Sequence, residues 1–368
     1  MKKWLITITI VIIIGLISIG VVYVLASRSL EVGDDTAARK KFDTTDLVPF
    51  ENWVEKRIQI FPKKEVLQEI SLLAVGDIML SRKVGQQMVK YQDYHYPFFK
   101  VMELIEGADL SFGNLESPIQ KGSPVYTGSF LFRADPEVAE SLSWTGFDVL
   151  SLANNHVLNQ GTDGLLKTFG YLSTQEIDYC GAMKNSENLS AQLAIKEVKG
   201  IKIGFLCYAY GPDYYAATKQ NPGMILMNDE QLKLDLESAK PQVDLVIVSM
   251  HDGVEYNHTS SVHQQNFAHL AIDNGADLII GHHPHVVQEV EIYKDKYIFY
   301  SLGNFVFDQM WSQATREGLA VKLTLTKQGV QNVEYFPVVS ENYSQPRHAN
   351  EVEREKILKY LGKVNLNF

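Results

Sequence analysis

The sequence predicts an α/β protein built around buried, largely parallel strands. Short apolar runs recur between residues 70 and 302, helical segments separate them, and a polar residue follows nearly every run. The runs are rich in Val, Ile, Leu and Phe, which is typical of central strands covered on both faces. We expect strands within "ISLLAV", "ADLSF", "FDVLSLA", "VDLVIVSM", "ADLIIG" and "YIFYSL".

The segments between these runs predict helices, and the C-terminal part predicts a hairpin. "DPEVAESLSWTG" and "SSVHQQNFAHLAIDNG" both read as helices that end at a glycine. Residues 318–339 predict a β-hairpin that turns at "KQGV". Within residues 347–368 we expect a short amphipathic helix without evident chemistry.

Charge and cysteine content exclude some classes of protein. The chain of 368 residues has 44 acidic and 34 basic side chains and a formal net charge of −10, which argues against nucleic acid as a partner. Its two cysteines, Cys180 and Cys207, form no CxxC motif, so a zinc ribbon is excluded. We expect no disulfide framework and interpret Cys207 as a buried thiol.

The N-terminus predicts a membrane anchor. Residues 4–25 carry no charge and, as a helix, would span about 33 Å, enough to cross the hydrocarbon core. Lys2 and Lys3 favour an inside N-terminus. We therefore expect an uncleaved signal anchor with the bulk of the chain outside the cytoplasmic membrane; a weak cleavage site at Ala26 and Ser27 leaves cleavage as the alternative.

These patterns divide the chain into four parts. Residues 1–26 form the anchor, and residues 27–68 form a stalk, which is polar, mixed in charge and without a sustained period. Residues 69–345 form the α/β domain, and residues 346–368 form a helical tail.

Polar residues at the ends of the predicted strands indicate a metal site. In open α/β sheets, binding groups cluster at the carboxyl ends of the strands. The sequence "GHHPH" places three imidazoles after one such strand. Carboxylate, amide and imidazole ligands without thiolate suit Mn, Fe or Zn, and six of them suit two ions that share a carboxylate. The predicted ligands are Asp77, Glu116, Asn155, His251, His283 and His285, with His282 as the alternative to His283.

Six motifs occur in order: "GDIML", "GNLESPI", "LANNHVLNQGTDGL", "HDGVEY", "GHHPHVVQ" and "YSLGNFVFD". Together they resemble the motifs of the CapA family of capsule proteins, also called poly-γ-glutamate synthesis proteins, and the resemblance covers roughly residues 70–310. The family belongs to the calcineurin-like metallophosphoesterase superfamily. The resemblance therefore implies a four-layer α/β/β/α sandwich that holds one or two divalent ions.

Two features depart from the wider superfamily. Its usual Asp-x-His motif is here Asp77-Ile78-Met79, so one imidazole is missing, and Glu116 stands where a bridging Asp is usual. The resemblance implies that Asp77, Glu116 and His285 hold one ion, loosely or not at all. It implies that the second ion is held by Glu116, Asn155, His251 and His283.

Other residues are candidates for contacting the substrate. By the same resemblance, His156 would face the substrate as a general acid or as a stabiliser of charge. Arg133 in "FRADPE" and Arg316 in "TREG" are candidates for clamping a phosphate or carboxylate, with an ordinary ion pair as the alternative. Asn304 in "SLGNF" would close the site by hydrogen bonding, or would simply form a turn.

Three functions are compatible with these observations, because fold and motif do not fix a substrate. The first is an extracytoplasmic, metal-dependent phosphoesterase in a capsule pathway. The second is a non-catalytic accessory subunit of a membrane polyglutamate synthase, which binds or hands on the anionic polymer. The third is a metal-dependent amide hydrolase that trims or releases polymer. The expected partners are an anionic polymer or phosphoester, and other membrane subunits of a synthase.

Overall fold

A computed structural model describes residues 68–126, 128–185 and 193–362. The predicted anchor, and the stalk as far as residue 67, lie outside these ranges. Among the described residues, no helix combines the length and hydropathy needed to cross a membrane.

The described chain alternates strands and helices. The strands are β1 (Ile70–Ile78), β2 (Leu110–Leu115), β3 (Val149–Ser151), β4 (Asp178–Cys180), β5 (Ala182–Met183), β6 (Ala194–Val198), β7 (Ile201–Ala209), β8 (Gly223–Met224), β9 (Leu245–His251), β10 (Leu278–His282), β11 (Val290–Tyr293), β12 (Lys296–Phe299), β13 (Asn304–Val306), β14 (Glu317–Thr326), β15 (Gly329–Glu341) and β16 (Gln345–His348). The α-helices are α1 (Arg82–Tyr91), α2 (Met102–Glu106), α3 (Val138–Thr145), α4 (Gly161–Thr174), α5 (Asp229–Ala239), α6 (Val262–Asp273), α7 (Gln313–Arg316) and α8 (Glu351–Leu358). This confirms the α/β class.

The strands form two large sheets. One has the order β16-β15-β14-β1-β2-β3-β4, with β13 also paired to β1. Its β1 to β4 pairs are parallel, whereas β14, β15 and β16 pair antiparallel. The other has the order β11-β12-β10-β9-β7-β6, with four parallel central strands between two antiparallel edges. Strands β5 and β8 form a separate short ribbon.

Side-chain alternation along β9 shows how the second sheet is covered. Leu245 and Ile247 lie in the core that also holds residues of the first sheet, and Val246 and Val248 pack with helices α5 and α6. Successive side chains of a strand point to opposite faces, so one face of this sheet meets the other sheet and one meets helices. This explains why the predicted strands read as continuous apolar runs.

All six predicted strands are present, and so are the helices α3, α6 and α8 at the predicted places. The predicted hairpin is β14–β15, which turns at Lys327 and Gln328. Eight strands of the described chain were not predicted: β4, β5, β6, β7, β8, β11, β13 and β16. The last predicted strand ends at Phe299, earlier than its apolar run, because the backbone turns before Asn304.

The cysteine prediction was wrong. Cys180, the last residue of β4, forms a disulfide with Cys207 on β7, and both side chains are fully buried. The bond joins the two large sheets. Cys180 and Cys207 are 27 residues apart in the sequence, so no local pattern indicates that they pair. The two side chains meet only when the two sheets pack together.

Replacing both cysteines by alanine is expected to lower the free energy of unfolding by about 2–5 kcal/mol, the usual loss for a native disulfide. Urea denaturation of the wild-type protein and of the double variant, each with and without reductant, measures it. Reductant should destabilise the wild type and leave the variant unchanged. Equal stability of the oxidised and reduced wild type would contradict this account.

Candidate metal centre

The predicted ligands meet where strands of both sheets end. Asp77 lies near the end of β1 and pairs in register with Asn304 of β13. His251 is the last residue of β9 and pairs in register with His282, the last residue of β10. Glu116 follows β2 directly, so parallel strands from two sheets deliver carboxylates and imidazoles to one place.

Four of these side chains form a buried cluster. Asp77, Glu116 and His251 offer ligand atoms that all lie within 4.8 Å of one another. The Nδ1 atom of His285 lies 3.4 Å from the Asp77 carboxylate, and its Nε2 lies 3.7 Å from Glu116 Oε1. Two atoms that bind one ion at about 2.1 Å lie at most about 4.2 Å apart. Small side-chain rotations would therefore let one ligand atom from each of these side chains bind the same ion.

The other predicted ligands adjoin this cluster. Asn155 Oδ1 lies 3.1 Å from His251 Nε2, and the rings of His251 and His283 are 4.7 Å apart. The structure therefore brings all six predicted ligands together, and their assignment as ligands stays a prediction. The alternative, His282, is fully buried with Nδ1 3.4 Å from Asp77 Oδ1, whereas His283 is partly exposed.

The loop that carries the histidines is strained. The backbone φ angle is 100° at His283 and 58° at His285. Residues other than glycine rarely adopt such positive φ angles. The His283 backbone N–H donates to Asp77 Oδ2 at 3.3 Å. Such strain clusters at functional sites, where the surrounding structure holds it in place.

Unsatisfied polar atoms test whether the residues fit a metal. Within the described residues, Glu116 Oε1, His283 Nδ1 and both ring nitrogens of the alternative ligand His282 are buried without a hydrogen-bond partner. A buried polar atom left unpaired costs roughly 1–3 kcal/mol. An oxygen and nitrogen donor set suits Mn, Fe or Zn. The centre therefore fits a divalent ion.

Burial and neighbouring charges shift the pKa values of the side chains at this centre in different directions. Burial alone would raise the pKa of Asp77, but its contacts with His282 and His285 hold that pKa well below the usual value. Burial and the charge of Asp77 raise the pKa of Glu116 well above its usual value. Burial opposes the charged form of His285, yet Glu116 and Asp77 outweigh it and raise its pKa to about 9. A cation would replace such protons, since metal ligands must be deprotonated.

Asn114 organises the carboxylates, and sequence reasoning missed it. Its Nδ2 donates to Asp77 Oδ1 at 2.8 Å and lies 3.3 Å from Glu116 Oε2, and its Oδ1 accepts from Asn154 Nδ2 at 3.1 Å. All four side chains are fully buried. The two-residue period of a strand was the available signal, because it places Asn114 on the same face as Glu116.

His156 lies at the edge of the centre in a fixed orientation. Asn159 Oδ1 accepts the Phe132 backbone N–H at 2.6 Å, so His156 Nδ1, 2.9 Å from the same oxygen, must donate. The His156 ring stacks on Phe132 at 3.9 Å, and its Nε2 lies 3.8 Å from Glu116 Oε1. Burial lowers the pKa of His156 to about 4, so the ring is neutral at neutral pH with Nε2 unprotonated.

The three residues predicted to contact substrate differ in their surroundings. The Arg133 guanidinium is bonded to its own loop, at 2.6 Å to the Gln120 carbonyl and 2.7 Å to Asp135. Arg316 Nε donates to the Ser340 carbonyl at 3.4 Å. Buried Asn304 holds His285, with Oδ1 3.0 Å from His285 Nδ1. Asn304 therefore orients a predicted ligand, and all three substrate roles stay predictions.

Arg82, which the sequence did not single out, is a cation that contacts the same aromatic ring as His156. Its guanidinium carbon lies 4.6 Å from the centre of the Phe132 ring on which His156 stacks. It forms an ion pair with Asp308 and lines a cavity of about 290 Å³ together with Lys90. Arg82 is thus a further candidate for binding an anionic substrate.

The fold and this buried centre of carboxylates and imidazoles define the protein as a candidate metal-binding protein of the α/β class. Residues 71–309 match the family described as bacterial capsule synthesis protein PGA_cap. The chain belongs to this family, which confirms the predicted resemblance.

Two relatives and one solved structure illustrate the similarity. "Capsule biosynthesis protein CapA" of Bacillus anthracis is 31% identical over 324 residues, 84% of this chain and 77% of that protein. "PGA biosynthesis protein CapA" of Bacillus subtilis is 32% identical over 298 residues, 80% and 78% of the two chains. Haemophilus influenzae NAD nucleotidase aligns with a TM-score of 0.47 and 12% identity, over 81% of this chain and 63% of that one. That structural likeness decides neither fold nor activity.

Proposed function

We propose that the protein is a metal-dependent hydrolase, acting on a phosphoester in poly-γ-glutamate capsule biosynthesis outside the cytoplasmic membrane. The observation that carries this proposal is the buried convergence of Asp77, Glu116, His251 and His285 from strands of two sheets. Family membership supports the capsule pathway. The face-to-face packing of the sheets supports a four-layer sandwich of the metallophosphoesterase type.

The predicted ligands at this centre would bind two ions. Asp77, Glu116 and His285 would hold one ion, and Glu116, Asn155, His251 and His283 the other. Such an ion, whether Mn, Fe or Zn, would supply Lewis-acid chemistry at neutral pH, so that no protein nucleophile would be needed. Asn114 and Asn304 fix the orientation of these ligands through the hydrogen bonds described above.

Two further groups would act on the substrate. His156 lies beside Glu116 and would donate a proton to the leaving group after a bound phosphoester anion raises its pKa. Arg82, held beside the same Phe132 ring, would attract the negative charge of the substrate.

Hydrolysis assays of the purified protein test this function. Protein loaded separately with Mn²⁺, Fe²⁺ or Zn²⁺ should cleave an aryl or alkyl phosphate, and chelator treatment should abolish the activity. Cleavage of a γ-glutamyl amide but of no phosphoester would favour the amide hydrolase. If neither bond is cleaved while polymer synthesis still requires the protein, it is an accessory subunit and the hydrolase proposal fails.

We also propose that residues 4–25 anchor the chain with its domain on the outer side of the membrane. The disulfide between Cys180 and Cys207 supports this location, because such bonds persist in oxidising compartments. Protease added to intact protoplasts should digest the domain, and the intact chain should stay with membranes after a high-salt wash. A domain protected from protease until lysis would reverse the orientation.

A further inference from the structure

The first of the two proposed ions has few ligands. Ile78 and Met79, which follow Asp77, are fully buried apolar residues and provide no imidazole. Asp77, Glu116 and His285 thus remain as the three assigned groups around this position. Glu116 Oε1 is buried without a hydrogen-bond partner among the described residues. A fourth ligand would have to come from another loop.

Glu255 is in a position to be that ligand. It lies in the loop after β9, four residues beyond His251, and is exposed. Ligand atoms of Glu255, His283 and His285 lie within 4.8 Å of one another, so this carboxylate reaches the rim of the centre from the solvent side.

The loop that carries Glu255 is tied to the histidine loop. The backbone N–H of the next residue, Tyr256, donates to the Pro284 carbonyl at 2.8 Å, between the two histidines. The Tyr256 ring stacks against His285 at 6.2 Å. These contacts hold the Glu255 backbone close to His285, and the Glu255 carboxylate also accepts a hydrogen bond from the Tyr256 side chain.

We propose that Glu255 is a carboxylate ligand of the ion held by Asp77, Glu116 and His285, and provides a fourth protein group at this position. The inference rests on the proposed metal centre. Since Glu255 is exposed, this ion would lie on the open side of the centre, and its occupancy would depend on Glu255 more than that of the inner ion.

Titration of the full-length, chelator-treated protein with Mn²⁺ tests the inference, by calorimetry and by electron paramagnetic resonance. The wild type should bind two ions, and their magnetic coupling should appear at low temperature. Glu255→Gln should keep one site unchanged, weaken the other by about 10–100-fold, and lose the coupled signal at sub-saturating Mn²⁺. Glu255→Asp should recover part of the affinity. Glu334→Gln, an exposed glutamate on β15, serves as the matched control.

The outcomes separate this inference from the proposed function. A wild type that binds neither Mn²⁺ nor, in parallel titrations, Fe²⁺ or Zn²⁺ overturns the metal centre itself. Two sites that Glu255→Gln leaves unchanged overturn the role of Glu255 and leave the centre standing. A wild type with a single site overturns Glu255 as well, because there is then no second ion for it to hold. The thermal midpoint of chelator-treated Glu255→Gln should equal that of the chelator-treated wild type, which excludes misfolding.

Discussion

Replacing His251 by alanine will remove bound Mn, Fe or Zn from the purified protein and abolish its metal-dependent hydrolysis. His251 is buried at the end of β9, with one ring nitrogen 3.1 Å from Asn155 and ligand atoms of Asp77 and Glu116 within 4.8 Å. The loss of a ligand removes a direct bond to the ion, so the affinity should fall by at least the roughly 10–100-fold typical of an outer-shell partner. Metal content per chain and hydrolysis rate measure the effect.

The chain offers a matched histidine control. His269 bonds to Glu291 at 3.0 Å and stacks on Tyr293, away from the predicted ligands, so His269→Ala should keep full metal content. Thermal unfolding of both variants, measured after chelator treatment, shows whether His251→Ala still folds. Full metal occupancy in a folded His251→Ala protein would show that the ligand assignment is wrong.

His156→Ala is expected to lower kcat on an alkyl phosphate by about 10²–10⁴-fold, the usual contribution of a positioned proton donor. The same change should matter much less for an activated aryl phosphate, whose leaving group needs little protonation. Metal content should be unchanged, because the ring lies beside Glu116 without belonging to either predicted ligand set.

The structure adds a condition to this role. At a pKa of about 4 and with Nδ1 donating to Asn159, the neutral ring has no proton to give from Nε2. The bound anion must raise that pKa, so the advantage of the wild type on alkyl phosphates should decline as the pH rises through the shifted value. Equal losses on both substrates would show that His156 positions substrate or metal instead.

The ligand-bearing strands could be predicted because their signals are local. Buried parallel strands give apolar runs. A run that ends in Asp77, His251 or "GHHPH" predicts a ligand at the edge of the sheet where the carboxyl ends of the strands lie. The same reasoning could not reach the Cys180–Cys207 bond, which exists only because β4 and β7 face each other across two packed sheets.

The remaining misses have different origins. Asn114 looks like an ordinary strand residue until its amide is seen between two carboxylates. Nothing in the sequence around Arg82 distinguishes it from an ordinary surface arginine. Only the contact of its guanidinium with the Phe132 ring, on which His156 also stacks, connects it with the centre. Glu255 depends on a backbone hydrogen bond between two loops, from Tyr256 to Pro284. Asn114 had a local signal in the two-residue period of β2, whereas Arg82 and Glu255 depend on contacts between loops, which leave no periodic trace in a sequence.

Elemental analysis of the purified, folded protein tests the central claim most directly. We expect one or two Mn, Fe or Zn ions per chain, removable by chelator and restored by adding back the ion. A folded protein that contains no transition metal, and takes up none when Mn²⁺, Fe²⁺ or Zn²⁺ is supplied, would contradict the account of the strand-end centre.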